Sequence, residues 1–218
     1  MLLDRRKVKF WQKIVFGFMA FLMAAFLVVG YSGVLNGCTW FNSAQSAVED
    51  LDQQIAKYQA AVKADPQDAA AWNNLGQQLE FRANQEQQGS AAQQAYWVRA
   101  ADAYAKADEI LAEEKGKAAK ETRLEVLGRL VDIQLFLQDY EAATGLYGKI
   151  TELKPKDAQA FFDMATVAIN AGDTNTALLA FSRFLELDPQ SPDAPQVKAW
   201  IKANTPGSTP KPSPSPTN

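Results

Sequence analysis

Apolar residues recur three and four positions apart through most of the chain, the spacing of amphipathic helices, and the pattern returns at a fixed offset. Leu127 pairs with Phe161, Leu130 with Met164, Ala143 with Ala177, Tyr147 with Phe181 and Pro155 with Pro189, each pair 34 residues apart. A small residue, an aromatic four later and a closing proline at this period mark a helix-turn-helix solenoid. Such a fold stacks helix pairs into an extended surface and encloses no pocket of its own. The expected role therefore moves away from catalysis and towards holding other proteins.

The chemistry of each position supports the pattern. Ala143, Ala165 and Ala177 are small enough for two helices to approach closely, while large apolar neighbours fill the groove between ridges. Pro66, Pro155 and Pro189 fall where one helix must stop before the next begins, because proline lacks the amide and disfavours helix just before it. Gly172-Asp173 supplies a tight turn inside the last unit. Residues 193–204 predict one more helix, with Pro195 in its first turn and Val197, Trp200 and Ile201 as an apolar stripe. Trp200 is expected to pack against Phe184 and Leu187.

On these residues the chain resembles the tetratricopeptide repeat (TPR) family. The cleanest unit reads Phe161-x2-Met164-Ala165, Gly172-Asp173, Ala177-x3-Phe181 and Pro189. The unit before it reads Leu127-x2-Leu130-Val131, Asp139 to Ala143, Tyr147 and Pro155. A third begins Trp72-x2-Leu75-Gly76-x2-Leu79 and resumes at Ala100-x3-Tyr104-x2-Ala107. Upstream, Tyr58, Ala61 and Pro66 match the second helix of a unit that lacks its first. The fold class expected is all-α, an N-terminal transmembrane helix followed by a TPR solenoid over residues 44–204, made of a half unit, three units and a capping helix. Pro66 to Pro155 spans 89 residues where two units need 68. The surplus falls in an insert near 84–94, with Gly89-Ser90 as its break, and in a charged, alanine-rich stretch at 111–120.

The N-terminal segment has a different character. No charged residue lies between Lys13 and Glu49, and residues 14–35 are long and apolar enough to predict a transmembrane helix. Trp11 flanks one end and Tyr31, Trp40 and Phe41 the other, as aromatic belts do. The basic residues of 1–13 predict a cytoplasmic N-terminus, which puts the repeats outside a bacterial cytoplasmic membrane. Leu35-Asn36-Gly37-Cys38 resembles a bacterial lipobox. It keeps open a second anchor, a lipoprotein signal ending at residue 37 with lipidation of Cys38, although Asn36 fits that pattern poorly. Cys38 is the only cysteine, so no internal disulfide is available.

Charge and chemistry narrow the function. Residues 1–13 hold five of the 22 basic residues and one of the 25 acidic ones; the other 17 basic and 24 acidic residues leave the rest at −7. An acidic body argues against nucleic acid as a partner. Residues 205–218 are rich in Pro, Ser and Thr and predict a disordered tail of polyproline II character. With no histidine, no phosphate loop and no nucleophile elbow, neither enzymatic activity nor any cofactor or metal is expected. Neighbouring carboxylates such as Asp108-Glu109 read as solvated helix surface.

The resemblance also implies where partners bind. In the family the first helix of each unit lines a concave groove. Carried over by position, the groove residues are Asn73, Gln77, Glu80 and Phe81, then Arg129, Asp132 and Phe136, then Phe162, Thr166 and Asn170. The function implied is a membrane-anchored extracytoplasmic scaffold for protein partners in envelope complex assembly. A chaperone holding translocating or unfolded chains, and a structural subunit of a larger membrane complex, are the alternatives.

Overall fold

The computed structural model describes residues 37–205, with side chains from Val48 onward. The chain divides into two compact units, residues 1–50 and 51–218. Of the first unit, residues 37–50 are described, and they are helical.

Among the described residues there are eight helices: α1 Gly37–Ala64, α2 Ala69–Gln85, α3 Ala91–Glu113, α4 Lys117–Phe136, α5 Tyr140–Leu153, α6 Ala158–Asn170, α7 Thr174–Leu187 and α8 Ala194–Asn204. From α2 onward each packs on its successor: α2 on α3, α3 on α4, α4 on α5, and so on to α8. The expectation of a transmembrane helix is corrected here. Among the described residues no helix is long and apolar enough to cross a membrane. The stretch 14–35, like the basic segment 1–13 and residues 206–218 of the tail, lies outside the described residues. The membrane localisation built on that span goes with it. Cys38, on which the lipid anchor turned, is the second residue of α1.

The connections follow from local chemistry. Between units, Asp65-Pro66-Gln67-Asp68, Lys154-Pro155-Lys156-Asp157 and Asp188-Pro189-Gln190-Ser191 each close with an N–H of the fourth residue donating to the carbonyl of the first, at 3.3, 3.1 and 3.3 Å. Proline at the second position is preset for such a turn. Five helices then start on a side chain that accepts an otherwise orphaned amide. Asp68 takes that of Ala71, Ser90 that of Gln93, Asp139 that of Ala142, Asp157 that of Ala160 and Asp173 that of Thr176. Caps of this kind stabilise by about 1 kcal/mol each in typical hosts.

Packing converts the helix pairs into two cores. Ile55, Val62, Leu75, Leu79, Trp97, Tyr104, Leu111, Val126, Leu127, Leu130 and Ile133 belong to the larger, which joins α1 through α4 and is flanked by Leu146 and Ile150 of α5. The smaller is built on Ala165, Ala180, Phe181, Phe184 and Val197, from α6, α7 and α8. Within the first, Gly76 allows α2 and α3 their close approach. A Cβ there would lie 2.8 Å from the ring carbons of Tyr104, and that ring is fully buried. Trp72 is tied to the preceding turn by its indole N–H, which donates to the Pro66 carbonyl at 3.0 Å.

The surplus residues lengthen helices. α2, α3 and α4 have 17, 23 and 20 residues against 13 or 14 in α5, α6 and α7. The short link between α2 and α3 turns at Gly89, in the left-handed region at φ 76°. Buried Gln93 seals it, accepting from the Gly89 amide at 2.8 Å and donating to the Ala83 carbonyl at 3.3 Å. Arg82 adds a tie across α1, α2 and α3. It pairs with Asp52 at 3.1 Å and with Glu86, and lies 4.9 Å from the centroid of the Tyr96 ring.

Candidate protein-binding groove

The groove residues carried over from the resemblance fall on α2, α4 and α6. Asn73, Gln77, Glu80 and Phe81 follow one another at spacings that keep them on one face of α2, as do Arg129, Asp132 and Phe136 on α4 and Phe162, Thr166 and Asn170 on α6. Their exposure varies. Phe81 and Phe136 are 54% and 45% accessible, values high for large apolar rings, whereas Asn73, Gln77, Glu80 and Phe162 are half-buried. Arg129, Asp132, Thr166 and Asn170 are exposed.

The structure brings some of them together. Glu80 accepts from the Tyr104 hydroxyl at 2.9 Å and from Arg129 Nη1 at 3.3 Å, so the acid and base of two successive units form one ion pair. Burial first, and then the Glu80 charge, push the Tyr104 hydroxyl far above its ordinary range, so it stays a donor to that carboxylate. Arg129 is therefore engaged within the protein. Phe136 meets Trp97 with ring centroids 5.0 Å apart. Trp97 is buried, and its indole N–H has no hydrogen-bond partner.

Further along, the surroundings of α6 are acidic. Burial, and then the charges of Asp163 and Asp132, raise the Tyr147 hydroxyl. Asp163 itself is raised, chiefly by burial and also by the charge of Asp157, against the lowering effect of the Gln159 amide that donates to it at 2.7 Å.

A hollow lies beside α6 and α8. Phe162, Thr166, Ile169, Phe181, Val197 and Trp200 line a cavity of about 280 Å³, with Asp193 and Gln196 completing its wall. Phe162 packs on Phe181 and Phe184 at centroid distances of 5.7 and 5.2 Å, and Trp200 meets Phe181 edge-on at 5.2 Å. The sequence reading placed Trp200 against Phe184 and Leu187; the observed ring partner is one helical turn earlier. Thr166 spends its hydroxyl on the Phe162 carbonyl at 2.9 Å. Phe162 and Thr166 thus share a site, whose lining does not include Asn73, Gln77 or Asn170.

Sequence reasoning missed several residues. Ile169, 39% exposed, lies seven positions after Phe162 and three after Thr166, a spacing that marks the same helix face. Asp108 is a plainer miss. Read as solvated surface, it is 3% exposed at its side chain and accepts from Arg123 Nε and Lys149 Nζ, each at 2.6 Å. This carboxylate ties α3 to α4 and α5. Both its oxygens are satisfied by neighbouring helices, so its role is structural. Among the described residues no group of three or more carboxylate or thiol side chains is placed to hold a metal ion, and nothing in the groove points to catalysis.

Comparison with known proteins agrees with the repeat pattern. Residues 57–93 match the family model described as tetratricopeptide repeat. No curated protein is similar by sequence. Solved structures with a likeness include MamA, at 17% identity over 73% of this chain and 80% of that one with a TM-score of 0.42. YrrB, described as a TPR protein with an unusual peptide-binding site, matches at 16% identity over 72% and 89% with a TM-score of 0.30. Yeast Tom70 matches at 16% over 74% and 37%, also with a TM-score of 0.30. The match over residues 57–93 supports a likeness to the tetratricopeptide repeat family.

Proposed function

We propose that this protein is a scaffold that holds an extended segment of a protein partner along the faces of α2, α4 and α6. The observation that carries the reading is the apolar cavity formed by Phe162, Thr166 and Ile169 with the aromatic rings of α7 and α8. Phe81 and Phe136 support it as exposed rings on the equivalent faces of the two earlier units. Large exposed aromatics are frequent anchors of protein interfaces. Asn73, Gln77 and Asn170 carry amide groups that both donate to and accept from a peptide backbone. The acid groups Asp132 and Asp163 favour a partner segment that is neutral or basic.

The test is capture of partners by the full chain against two surface variants, Phe136→Glu and Thr166→Arg. Both residues are exposed, so the helical circular dichroism signal should stay unchanged while capture falls at least tenfold. Undiminished capture by both variants would move the binding surface elsewhere. Recovery of one partner in fixed ratio supports assembly of a defined complex, and a spread of unrelated unfolded chains turns the reading to a chaperone.

A further inference from the structure

The cavity beside α6 and α8 is apolar within and acidic around its edge. Phe162, Ile169, Phe181, Val197 and Trp200 line it, and Asp193 stands on its wall. We propose that this site selects an internal segment of a partner chain in which one large apolar side chain is flanked by lysine or arginine, and that it rejects acidic segments and free C-terminal carboxylates. The proposal rests on the groove reading above and gives it a sequence preference.

Size sets the anchor. A cavity of about 280 Å³ lies below the ~300–1,000 Å³ typical of pockets for whole small molecules, so it suits a single side chain. Rings and aliphatic groups offer a polar head group few partners, and Thr166 spends its hydroxyl on the Phe162 carbonyl at 2.9 Å. An uncharged apolar side chain is the occupant that loses least on leaving water.

Charge sets the neighbours of that anchor. Asp193 is exposed and makes no side-chain cap bond to α8. Asp163 directly follows Phe162, so it lies on the adjacent face of α6, where burial and the charge of Asp157 hold its carboxyl above the ordinary range. Asp132 of α4 belongs to the same neighbourhood, because beyond burial its charge and that of Asp163 both raise the Tyr147 hydroxyl. None of Asp132, Asp163 and Asp193 forms an ion pair among the described residues.

The bases nearby are committed or turned away. Arg129, the one cation among the groove residues, is held by Glu80 at 3.3 Å, and Arg183 of α7 pairs with Glu186 at 2.7 Å. On α8, Lys198 and Lys202 fall by helical spacing on the side opposite the stripe of Asp193, Gln196, Val197 and Trp200. A partner lysine or arginine beside the anchor therefore meets uncompensated carboxylates, whereas an acidic neighbour or a terminal carboxylate meets like charge.

The test uses the full chain and short fluorescein-labelled peptides read by fluorescence anisotropy. The basic probes have a central leucine, lysine at the first, second or third place on either side, serine elsewhere and an amidated C-terminus. Their counterparts carry glutamate for lysine, serine for leucine, or a free carboxylate directly after the leucine. At low salt the best basic probe should bind about tenfold more tightly than each counterpart. Its advantage over the glutamate probe should close near ~1 M salt, where the Debye length is about 3 Å. Asp193→Lys should cut that advantage about threefold or more, and Thr166→Arg should remove binding of every probe. Equal binding of the basic probe and any counterpart overturns the proposal, as does a charge preference that persists at high salt or ignores Asp193→Lys. Absence of binding by all the probes overturns it too. Lysine and glutamate probes that bind equally and are both lost with Thr166→Arg would sink the preference and spare the groove. Probe binding and partner capture that both survive Thr166→Arg would sink the two together.

Discussion

At the scale of single residues, the turns inside two successive units reach one backbone geometry with different residues at its left-handed position. Gly172 and Gln138 occupy equivalent positions, 34 apart, both in the left-handed region with φ of 77° and 61°. The amide after each closes back on the carbonyl five residues earlier, Asp173 to Ala168 at 2.9 Å and Asp139 to Gln134 at 2.8 Å. Glycine adopts that conformation freely, whereas a side chain there costs roughly 1 kcal/mol. Gln138→Gly should therefore stabilise the protein by about 0.5–1 kcal/mol in urea denaturation, and a loss of stability would show that the Gln138 side chain contributes more than its backbone costs. Asp163 makes the second prediction. Its folded-state pKa is raised, so the native state holds the proton more tightly than the unfolded chain. Its ionisation opposes folding at neutral pH, and the penalty is relieved as pH falls through the raised value towards the ordinary one near ~3.9. Asp163→Asn keeps an acceptor for Gln159 and should melt at a higher temperature than the parent at pH 7. That advantage should vanish as pH approaches 4; a constant or growing gap would place the effect in packing. The glycine turn was legible in Gly172-Asp173, but nothing local in Leu137-Gln138-Asp139 announced the same geometry. Only the 34-residue offset links the two.

At the scale of elements, the sequence is most readable where the physical cause is local. Proline turns, the Gly172-Asp173 turn and the alanine-aromatic spacing of α5 to α7 all act within one helical turn of themselves, and each corresponds to an observed helix end or close packing. What escaped has partners far along the chain. Asp108 sits beside Glu109 in a run that reads as charged surface, yet adjacent helical residues point about 100° apart, so one can face inward while the other faces water. Its cations, Arg123 and Lys149, are 15 and 41 residues away. The ion pair of Glu80 with Arg129 spans 49 residues, and it ties down a base that the resemblance offered to a partner. Gln93 lies within the insert near 84–94; buried, it donates to the Ala83 carbonyl, which also accepts from the Glu86 N–H at the end of α2. A spanning helix is expected over 14–35 from its apolar length, aromatic flanks and basic N-terminal side; that stretch lies outside the described residues, among which no helix has that character.

At the scale of the molecule, residues 51–205 hold their helices through neighbours, and the two cores are built from different helices. The larger draws on α1 to α4 and the smaller on α6 to α8, with α5 packed against the first and α6 next to it in line. In a stack of this kind stability is close to a sum of unit and nearest-neighbour contributions, so damage to one unit spreads weakly. Phe184 is the side chain that tests this. It is 3% exposed and meets Phe162 at 5.2 Å, so Phe184→Ala opens a cavity worth about 3–5 kcal/mol in a well-packed core. That loss is a large share of the ~5–15 kcal/mol by which domains are stable. If the cores open separately, amide hydrogen exchange in α6, α7 and α8 should accelerate by two orders of magnitude or more, while amides of α2, α3 and α4 stay within a fewfold of the parent. Equal acceleration throughout would mean that the unit unfolds as one body, with α5 coupling the cores. The outcome bears on function as well, because the cavity of Phe162, Thr166 and Trp200 lies in the smaller core. A separately opening α6–α8 segment would let that cavity remodel around a bound chain without loosening α2 and α4, which carry Phe81 and Phe136.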